Sequence, residues 1–332
     1  MRQLDFSTLV KKFVREISKF YNILFNPVFL FFLGFFVSVI LFYSAWIELG
    51  LLQFRQVVRT DGPETHLKKM GTPTMAGVVF IIIFLVVELF LLILKDYVNG
   101  TMALKINIFI IIFGFIGLID DYLKITKKNT KGLPSLFKLI FQILFAGFGL
   151  IICFNYNTMS NIFIFIFLIF IIVGTNNGVN FTDGLDGLCA TVTIIVSLLF
   201  CSVSLLRNNN ELLYINLLIL AILLGFIIFN HYPAKIFMGD TGSLFLGAYV
   251  AFMSIALDMQ YFLPLFGIVY LVEVLSVIIQ VLYFKATHGK RFFKMAPIHH
   301  HFEKCGFSEN QIVLMFSIVT IITCLITYYF VR

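Results

Sequence analysis

The polar residues of this chain are bunched, and the stretches between them are almost purely apolar. Ten apolar runs lie near residues 27–47, 76–94, 104–119, 136–154, 162–175, 188–206, 212–229, 243–257, 263–284 and 312–331. A helix needs about 20 apolar residues to cross a bilayer. Lipid offers no partner for backbone polar groups, so each span must satisfy its own. The pattern therefore predicts an all-α integral membrane protein with about ten transmembrane helices. Runs five and eight are short and are expected to extend into their polar flanks. The gaps between runs are too short for a soluble domain, so residues 26–332 read as one polytopic membrane domain. No internal repeat is visible.

Residues 1–25 follow a different rule. Phe6, Leu9, Val10, Phe13, Val14, Ile17, Phe20 and Tyr21 recur at three- and four-residue steps, with Lys11, Lys12, Arg15 and Lys19 between them. That is the pattern of an amphipathic helix lying in the membrane interface.

Composition agrees. Hydrophobic residues are 60% and charged residues 12% of the 332, against roughly 45–50% and about 25% in an ordinary globular domain. A soluble globule could not hide that much apolar surface. The 42 Phe residues are cheap in lipid and read as compositional bias rather than function. Of the cysteines, Cys153, Cys189, Cys201 and Cys324 lie in or beside apolar runs, and with Cys305 they form no Cys-x-x-Cys pair. They read as small buried hydrophobes, not as disulfides or metal ligands. The net charge of +7 points to anionic head groups and anionic substrates, not to nucleic acid.

Loops 1–2, 3–4, 5–6, 7–8 and 9–10 hold 15 of the 24 Lys and Arg residues. The positive-inside rule puts these loops in the cytoplasm and both termini outside. The basic N-terminal tail argues the other way. The same loops contain nearly all the unusual polar residues. Asp120 and Asp121 close run three, where the helix macrodipole disfavours anions and neighbouring carboxylates repel unless a cation or proton is shared. A divalent cation or a cationic partner is expected there. Asp183 and Asp186 would share a face if a helix starts at that point, and a helix cap is an equal reading. Asp240 sits in Met-Gly-Asp-Thr-Gly-Ser before run eight, where a cap again competes. Five Asp in three loops of one face still make a constellation. Hard oxygen ligands of this kind suit Mg²⁺, with Asp240 the expected ligand and Asp120 or Asp121 beside it.

His299, His300 and His301 follow Ala296-Pro297, which favours extended chain or a turn. Three adjacent imidazoles cannot all point one way. A phosphate-binding, sugar-binding or proton-carrying role is expected rather than Zn²⁺. Lys69, Lys124, Lys138 and Lys235 are placed to neutralise phosphate or to anchor the positive face. Glu88 and Glu273 lie inside apolar runs and must face other helices or water. Asn230 and His231 end run seven and read as lining the site.

The segments Gly71-Thr-Pro-Thr-Met75, Asp120-Asp121-Tyr-Leu-Lys124, Asn180-Phe-Thr-Asp183-Gly-Leu-Asp186-Gly-Leu188, Asn230 through Phe237-Met-Gly-Asp-Thr-Gly-Ser243, and Met295-Ala-Pro-Ile-His-His-His-Phe-Glu303 stand in this order. In them the chain resembles the phospho-N-acetylmuramoyl-pentapeptide-transferase family, within the polyprenyl-phosphate N-acetylhexosamine-1-phosphate transferase superfamily. The resemblance covers about Arg59 to the last run. The family commonly reads Thr-Met-Gly-Gly where this chain has Thr74-Met75-Ala76-Gly77. The resemblance implies ten transmembrane helices with a broken ninth, both termini periplasmic, and a site on the cytoplasmic side of the bacterial inner membrane. It also implies Mg²⁺ dependence and a homodimer. It places Lys69, Thr74, Asn180, Asp183, Asn230 and Phe237 in a nucleoside-diphosphate pocket, while Asp183 and Asp186 are expected to support substrate or metal. His299 and its neighbours His300 and His301 would meet the phosphate or sugar.

The implied reaction is transfer of phospho-MurNAc-pentapeptide from UDP-MurNAc-pentapeptide to undecaprenyl phosphate, giving lipid I and UMP. Two anions must meet at a membrane surface, so Mg²⁺ and lysines such as Lys138 are needed for neutralisation. Direct attack by the lipid phosphate is the expectation, with a phospho-aspartate intermediate as the alternative. The rivals are a related transferase using UDP-GlcNAc, which the His299–Phe302 segment opposes, and an ion-coupled transporter or flippase, which lacks the expected repeat.

Overall fold

All ten apolar runs fold as helix. The computed structural model describes residues 26–52, 54, 69, 71–93, 102–127, 132–154 and 161–332, and only the backbone of residues 88–93. The expected interfacial helix over residues 1–25 and the side chain of Glu88 lie outside the described residues. The helices are α1 (Pro27–Leu51), α2 (Gly77–Ile93), α3 (Met102–Thr126), α4 (Ser135–Phe154), α5 (Ile162–Thr182), α6 (Leu188–Leu206), α7 (Asn210–Asn230), α8 (Gly239–Ala256), α9 (Leu263–Phe266), α10 (Ile268–Ala286), α11 (Ile298–Lys304) and α12 (Glu309–Val331). There is no β-strand among the described residues.

Eight of these helices are long and apolar enough to cross a membrane. The other two runs, α2 and α8, fall short for different reasons. In α2 the described apolar stretch is short, Gly77–Val87. In α8 small and polar residues replace the large apolar ones. Its sequence, GDTGSLFLGAYVAFMSIA, is buried from Thr241 to Ile255. A helix enclosed by protein on every side does not face lipid, and small residues let its neighbours approach closely. Helices α3, α5, α2 and α6 surround it. Around this centre α1 packs on α7, α7 on α6, α6 on α12, and α5 on α10.

The short fifth and eighth runs extend into polar flanks as expected, to Thr182 and back to Gly239. The ninth run is interrupted. Pro264 starts α9 and Gly267 separates it from α10. Beyond Ser276, α10 leaves the bundle, and Ile278, Ile279, Val281, Leu282, Tyr283 and Phe284 are all exposed. One face of α4 is equally bare, from Leu136 to Ile152. Exposed apolar faces are the natural surface of a protein whose solvent is lipid.

Phenylalanine builds much of the centre. Phe80 meets Phe42, Phe226 and Phe245 edge-on, with ring centroids 5.5, 5.4 and 5.9 Å away. Such edge-to-face pairs contribute about 0.5–1.5 kcal/mol beyond their burial. They join α1, α2, α7 and α8 beneath the end of the bundle where the acids collect.

Candidate active site

The acids are brought together by backbone contacts between helices. A Cβ on Gly77 of α2 would collide with the Gly242 backbone of α8, and one on Gly117 of α3 would collide with the carbonyl of Asp240. The segment before α2 locks onto the segment before α8. Phe237 N–H donates to the Pro73 carbonyl at 2.9 Å, Ala76 N–H to Phe237 at 3.0 Å, and Gly77 N–H to Met238 at 2.9 Å. Ala76, where the related family commonly has glycine, is fully buried at this joint. Met75 takes a left-handed φ of 72°.

The result is a group of three carboxylates, Asp120, Asp121 and Asp240, whose nearest oxygens lie within 4.8 Å of one another. Their surroundings differ. Asp121 accepts from the backbone N–H groups of Asp240 and Thr241 at 3.1 and 2.9 Å, and from the Thr241 hydroxyl at 2.7 Å. It therefore caps the N-terminus of α8 from another helix, where the macrodipole favours an anion. Asp120 accepts from Leu133 N–H at 2.7 Å and meets the Lys124 ammonium at 2.6 Å. Asp240 is the most heavily engaged. Lys138 and Lys124 reach it at 2.6 and 3.0 Å, and the Asn180 amide donates to its other oxygen at 3.2 Å. Ser243 holds Asn180 in turn, at 2.7 Å.

Three local expectations are corrected. Asp120 and Asp121 do not end their helix. It runs on to Thr126, which places Lys124 one turn beyond Asp120. Asp183 and Asp186 share no helix face and cap no following helix. Asp183 is the C-cap of α5, and α6 begins only at Leu188. Both acids belong to the turn between these helices. Burial, with Asp240, Asp121 and Asp186 nearby, pushes the Asp183 carboxyl well above its ordinary value. Asp240, likewise, is not the cap of α8. It lies in the first turn, after Met238 and Gly239.

A second cluster stands beside the first. Lys69 bridges Asp186 and Glu309, each at 2.6 Å. Glu309 also accepts from Asp186 N–H at 3.1 Å, and Asp186 from Ala234 N–H at 2.9 Å. Burial alone would lower the Lys69 pKa, but Glu309 and Asp186 outweigh it and raise it above 10.5. Asn230 joins the same turn, accepting from Gly187 N–H at 3.1 Å and donating to the Ile236 carbonyl at 2.9 Å. Thr74 is buried and its N–H donates to the Phe54 carbonyl at 2.9 Å. The half-buried Phe237 lies on the adjoining strip of backbone. Neither Thr74 nor Phe237 contacts the carboxylate group directly through a described hydrogen bond.

The three histidines lie on α11, with Pro297 as N-cap, rather than in extended chain. Their rings find three different partners. His299 Nδ1 meets Glu273 at 3.0 Å, His300 Nδ1 meets Glu303 at 2.7 Å, and His301 Nδ1 accepts from Lys294 N–H at 3.1 Å. Lys235 sits over the Trp46 ring, 5.1 Å from its centroid. The described cysteines are all free, with Cys305 exposed and the others buried.

Sequence reasoning gave Glu309 no role and left Lys124 among several equivalent lysines. The sequence signal for Glu309 was its place in a helix start, since Ser308 and Gln311 form a capping box around it. For Lys124 it was the i+4 spacing from Asp120.

Carboxylates interleaved with lysines and amides at the buried ends of membrane helices can hold a phosphate group and a small divalent cation together. All three carboxylates offer hard oxygen, and their spacing fits one ion. The class so defined is an integral-membrane phosphotransferase.

Comparison with known proteins narrows this. Residues 103–258 match the family described as glycosyl transferase family 4. The chain is 43% identical to the phospho-N-acetylmuramoyl-pentapeptide-transferase of Carboxydothermus hydrogenoformans, over 84% of this chain and 90% of that protein. It is 44% identical to the protein of the same name from Clostridium acetobutylicum, over 83% and 90%, and 41% identical to that of Acetivibrio thermocellus, over 92% and 95%. The chain belongs to the phospho-N-acetylmuramoyl-pentapeptide-transferase family. It is a multi-pass bacterial membrane enzyme.

Proposed function

We propose that this protein transfers the phospho-MurNAc-pentapeptide group of UDP-MurNAc-pentapeptide to undecaprenyl phosphate, giving lipid I and UMP. An oxygen of the lipid phosphate attacks the sugar-linked phosphorus. The bond from that phosphorus to the bridging oxygen breaks, and UMP leaves. The observation that supports this reading best is the Asp240 environment, where two lysines and an amide converge on a carboxylate with Asp120 beside it.

Lys124 and Lys138 neutralise the phosphates of both substrates. Asn180 and Ser243 orient Asp240. Asp121 sets the position of Asp240 through the α8 backbone, because its oxygens are already taken by amide and hydroxyl donors. Mg²⁺ would be held by Asp240 with Asp120, and Asp121 at their edge, and would supply charge neutralisation at the diphosphate. The attacking phosphate has its second pKa near about 6 and is mostly dianionic at neutral pH, so a general base is not required. This favours direct attack over a phospho-aspartate, and a trapped adduct on Asp120, Asp121 or Asp240 would overturn it. Lys69, Asp183, Asp186, Asn230, Thr74 and Phe237 form the nucleoside side of the pocket, and His299, His300 and His301 the phosphate and sugar side.

The excess of Lys and Arg in the loops around the acids supports a site facing the cytoplasm, with both termini periplasmic. The family resemblance supports a homodimer. The test is UMP release by purified protein given UDP-MurNAc-pentapeptide, undecaprenyl phosphate and Mg²⁺. Turnover with these substrates is expected. Turnover only with UDP-GlcNAc as donor would assign the chain to a different member of the superfamily.

A further inference from the structure

One acidic residue is buried inside a membrane helix. Glu273 of α10 is completely buried, and so is its partner His299, which is 1% exposed. Their contact, Nδ1 to Oε2, is 3.0 Å long. A carboxylate at such a place is costly without a counter-charge. The neighbouring pair, His300 with Glu303, is more exposed and lies within one helix. The Glu273–His299 pair instead joins α10 to α11.

The pair is also incomplete. His299 Nε2 and Glu273 Oε1 are both buried and lack a hydrogen-bond partner among the described residues. Buried polar atoms are nearly always paired, so a missing partner asks for a reason. The direction of Nε2 supplies one. A Cβ on Gly184 would collide with it. Nε2 therefore faces the bare backbone of the turn that bears Asp183 and Asp186. The charged groups on that side are Asp183 itself and the Asp186–Lys69–Glu309 cluster.

We infer that Glu273 is a positioning residue for the transfer reaction: it anchors His299 through Nδ1 and supplies the counter-charge that lets Nε2–H donate to an anionic oxygen of the nucleotide sugar at the Asp183–Gly184 turn. Nε2 is covered by the Asp183–Gly184 turn, so that turn has to shift for the arriving oxygen to complete its open valence. This rests on the reading of the site as one for a uridine-diphosphate sugar.

Glu273→Gln keeps the size and the hydrogen-bond acceptor but removes the charge, while Glu273→Asp keeps the charge on a shorter arm. With Mg²⁺ and both substrates, Glu273→Gln is expected to raise KM for UDP-MurNAc-pentapeptide by about 10- to 100-fold, as for loss of one hydrogen bond to a charged group. KM for undecaprenyl phosphate should stay within about twofold, and Glu273→Asp should recover part of the loss. Full-length protein carrying ¹⁵N-labelled histidine gives the second readout. The His299 signal, assigned by its loss in His299→Gln, should show protons on both ring nitrogens in the wild type and on one in Glu273→Gln. Adding UDP-MurNAc-pentapeptide should move Nε2 in the wild type. An unchanged donor KM in Glu273→Gln, an equal rise for both substrates, or a singly protonated His299 in the wild type would each overturn the inference. The proposed activity fails separately, by absence of UMP release from the wild type. The spectrum still decides the state of the pair in that case, and also if a variant does not fold.

Discussion

Replacing Asp121 by asparagine separates holding a helix from holding a cation. The Asp121 carboxylate accepts three hydrogen bonds at the start of α8, from Asp240 N–H, Thr241 N–H and the Thr241 hydroxyl. Asparagine keeps one acceptor oxygen, which can retain the two bonds from Thr241. Its amide nitrogen then faces Asp240 N–H, donor against donor. A lost hydrogen bond to a charged group costs about 1.5–3 kcal/mol, and a lost anion at a helix N-terminus about 0.3–1 kcal/mol. The sum is about 2–4 kcal/mol. Relief of repulsion between Asp121 and Asp240 works in the other direction. Lys124 and Lys138, which pair with Asp240, weaken that repulsion. The assay is thermal unfolding of purified protein in detergent with EDTA, so that no bound cation contributes. Asp121→Asn should lower Tm by about 4–8 °C, at about 2 °C per kcal/mol. Asp120→Asn keeps its acceptor for Leu133 N–H, so it should shift Tm by less than half as much. A Tm for Asp121→Asn equal to that of the wild type, with Asp120→Asn strongly destabilised, would refute the assignment of Asp121 as the cap.

Four further outcomes are expected. Asp240→Asn should reduce UMP release by about 10²–10³-fold, the scale for loss of one electrostatic element in a preorganised site; unimpaired turnover would remove Asp240 from the chemistry. Gly117→Ala forces α3 away from the Asp240 carbonyl and should cost about 1–3 kcal/mol, seen as a lower Tm together with lower activity. Lys69→Met leaves Asp186 and Glu309 facing each other without their cation and should cost about 3–5 kcal/mol at neutral pH. Because the Lys69 pKa is raised above 10.5, its contribution is complete below that pH and is lost as pH climbs through the raised value. Wild-type Tm should therefore fall more steeply than that of Lys69→Met in the same alkaline window. For Asp183 the sign is opposite to the usual carboxylate. Its pKa is raised well above 3.8, so the folded state holds the proton longer and stability declines as pH rises from 3.8 to the raised value. Asp183→Asn should remove that decline and exceed the wild-type Tm at pH 7, with the two curves meeting near pH 4.

The sequence disclosed what lipid imposes and concealed what helices impose on one another. Each apolar run became a helix because a span has to satisfy its own backbone, and hydropathy reads that demand directly. It did not reveal that α8 is enclosed, since its glycines, serines and threonines resemble a weak span until its neighbours are known. The acids were legible because they are rare. Their division of labour was not. That Asp121 caps a helix 120 residues away, or that Lys69 pairs with Glu309 across 240 residues, depends on packing between helices. His299 shows the same limit. The adjacency of three imidazoles was plain, but the pairing of His299 with Glu273 required α10 to lie beside α11.

The close contacts of Gly77 with α8 and of Gly117 with Asp240 set which parts of the site can move. Where backbones touch, there are no intervening side chains to repack, so one helix cannot slide past another by small steps. The roots of Asp120, Asp121 and Asp240 thus behave as a single rigid body. Adjustment to a ligand falls to the long side chains of Lys124 and Lys138, which can change rotamer without moving a helix. Fast, local rearrangement by these lysines, on a frame that stays still, is the mode of response this architecture permits.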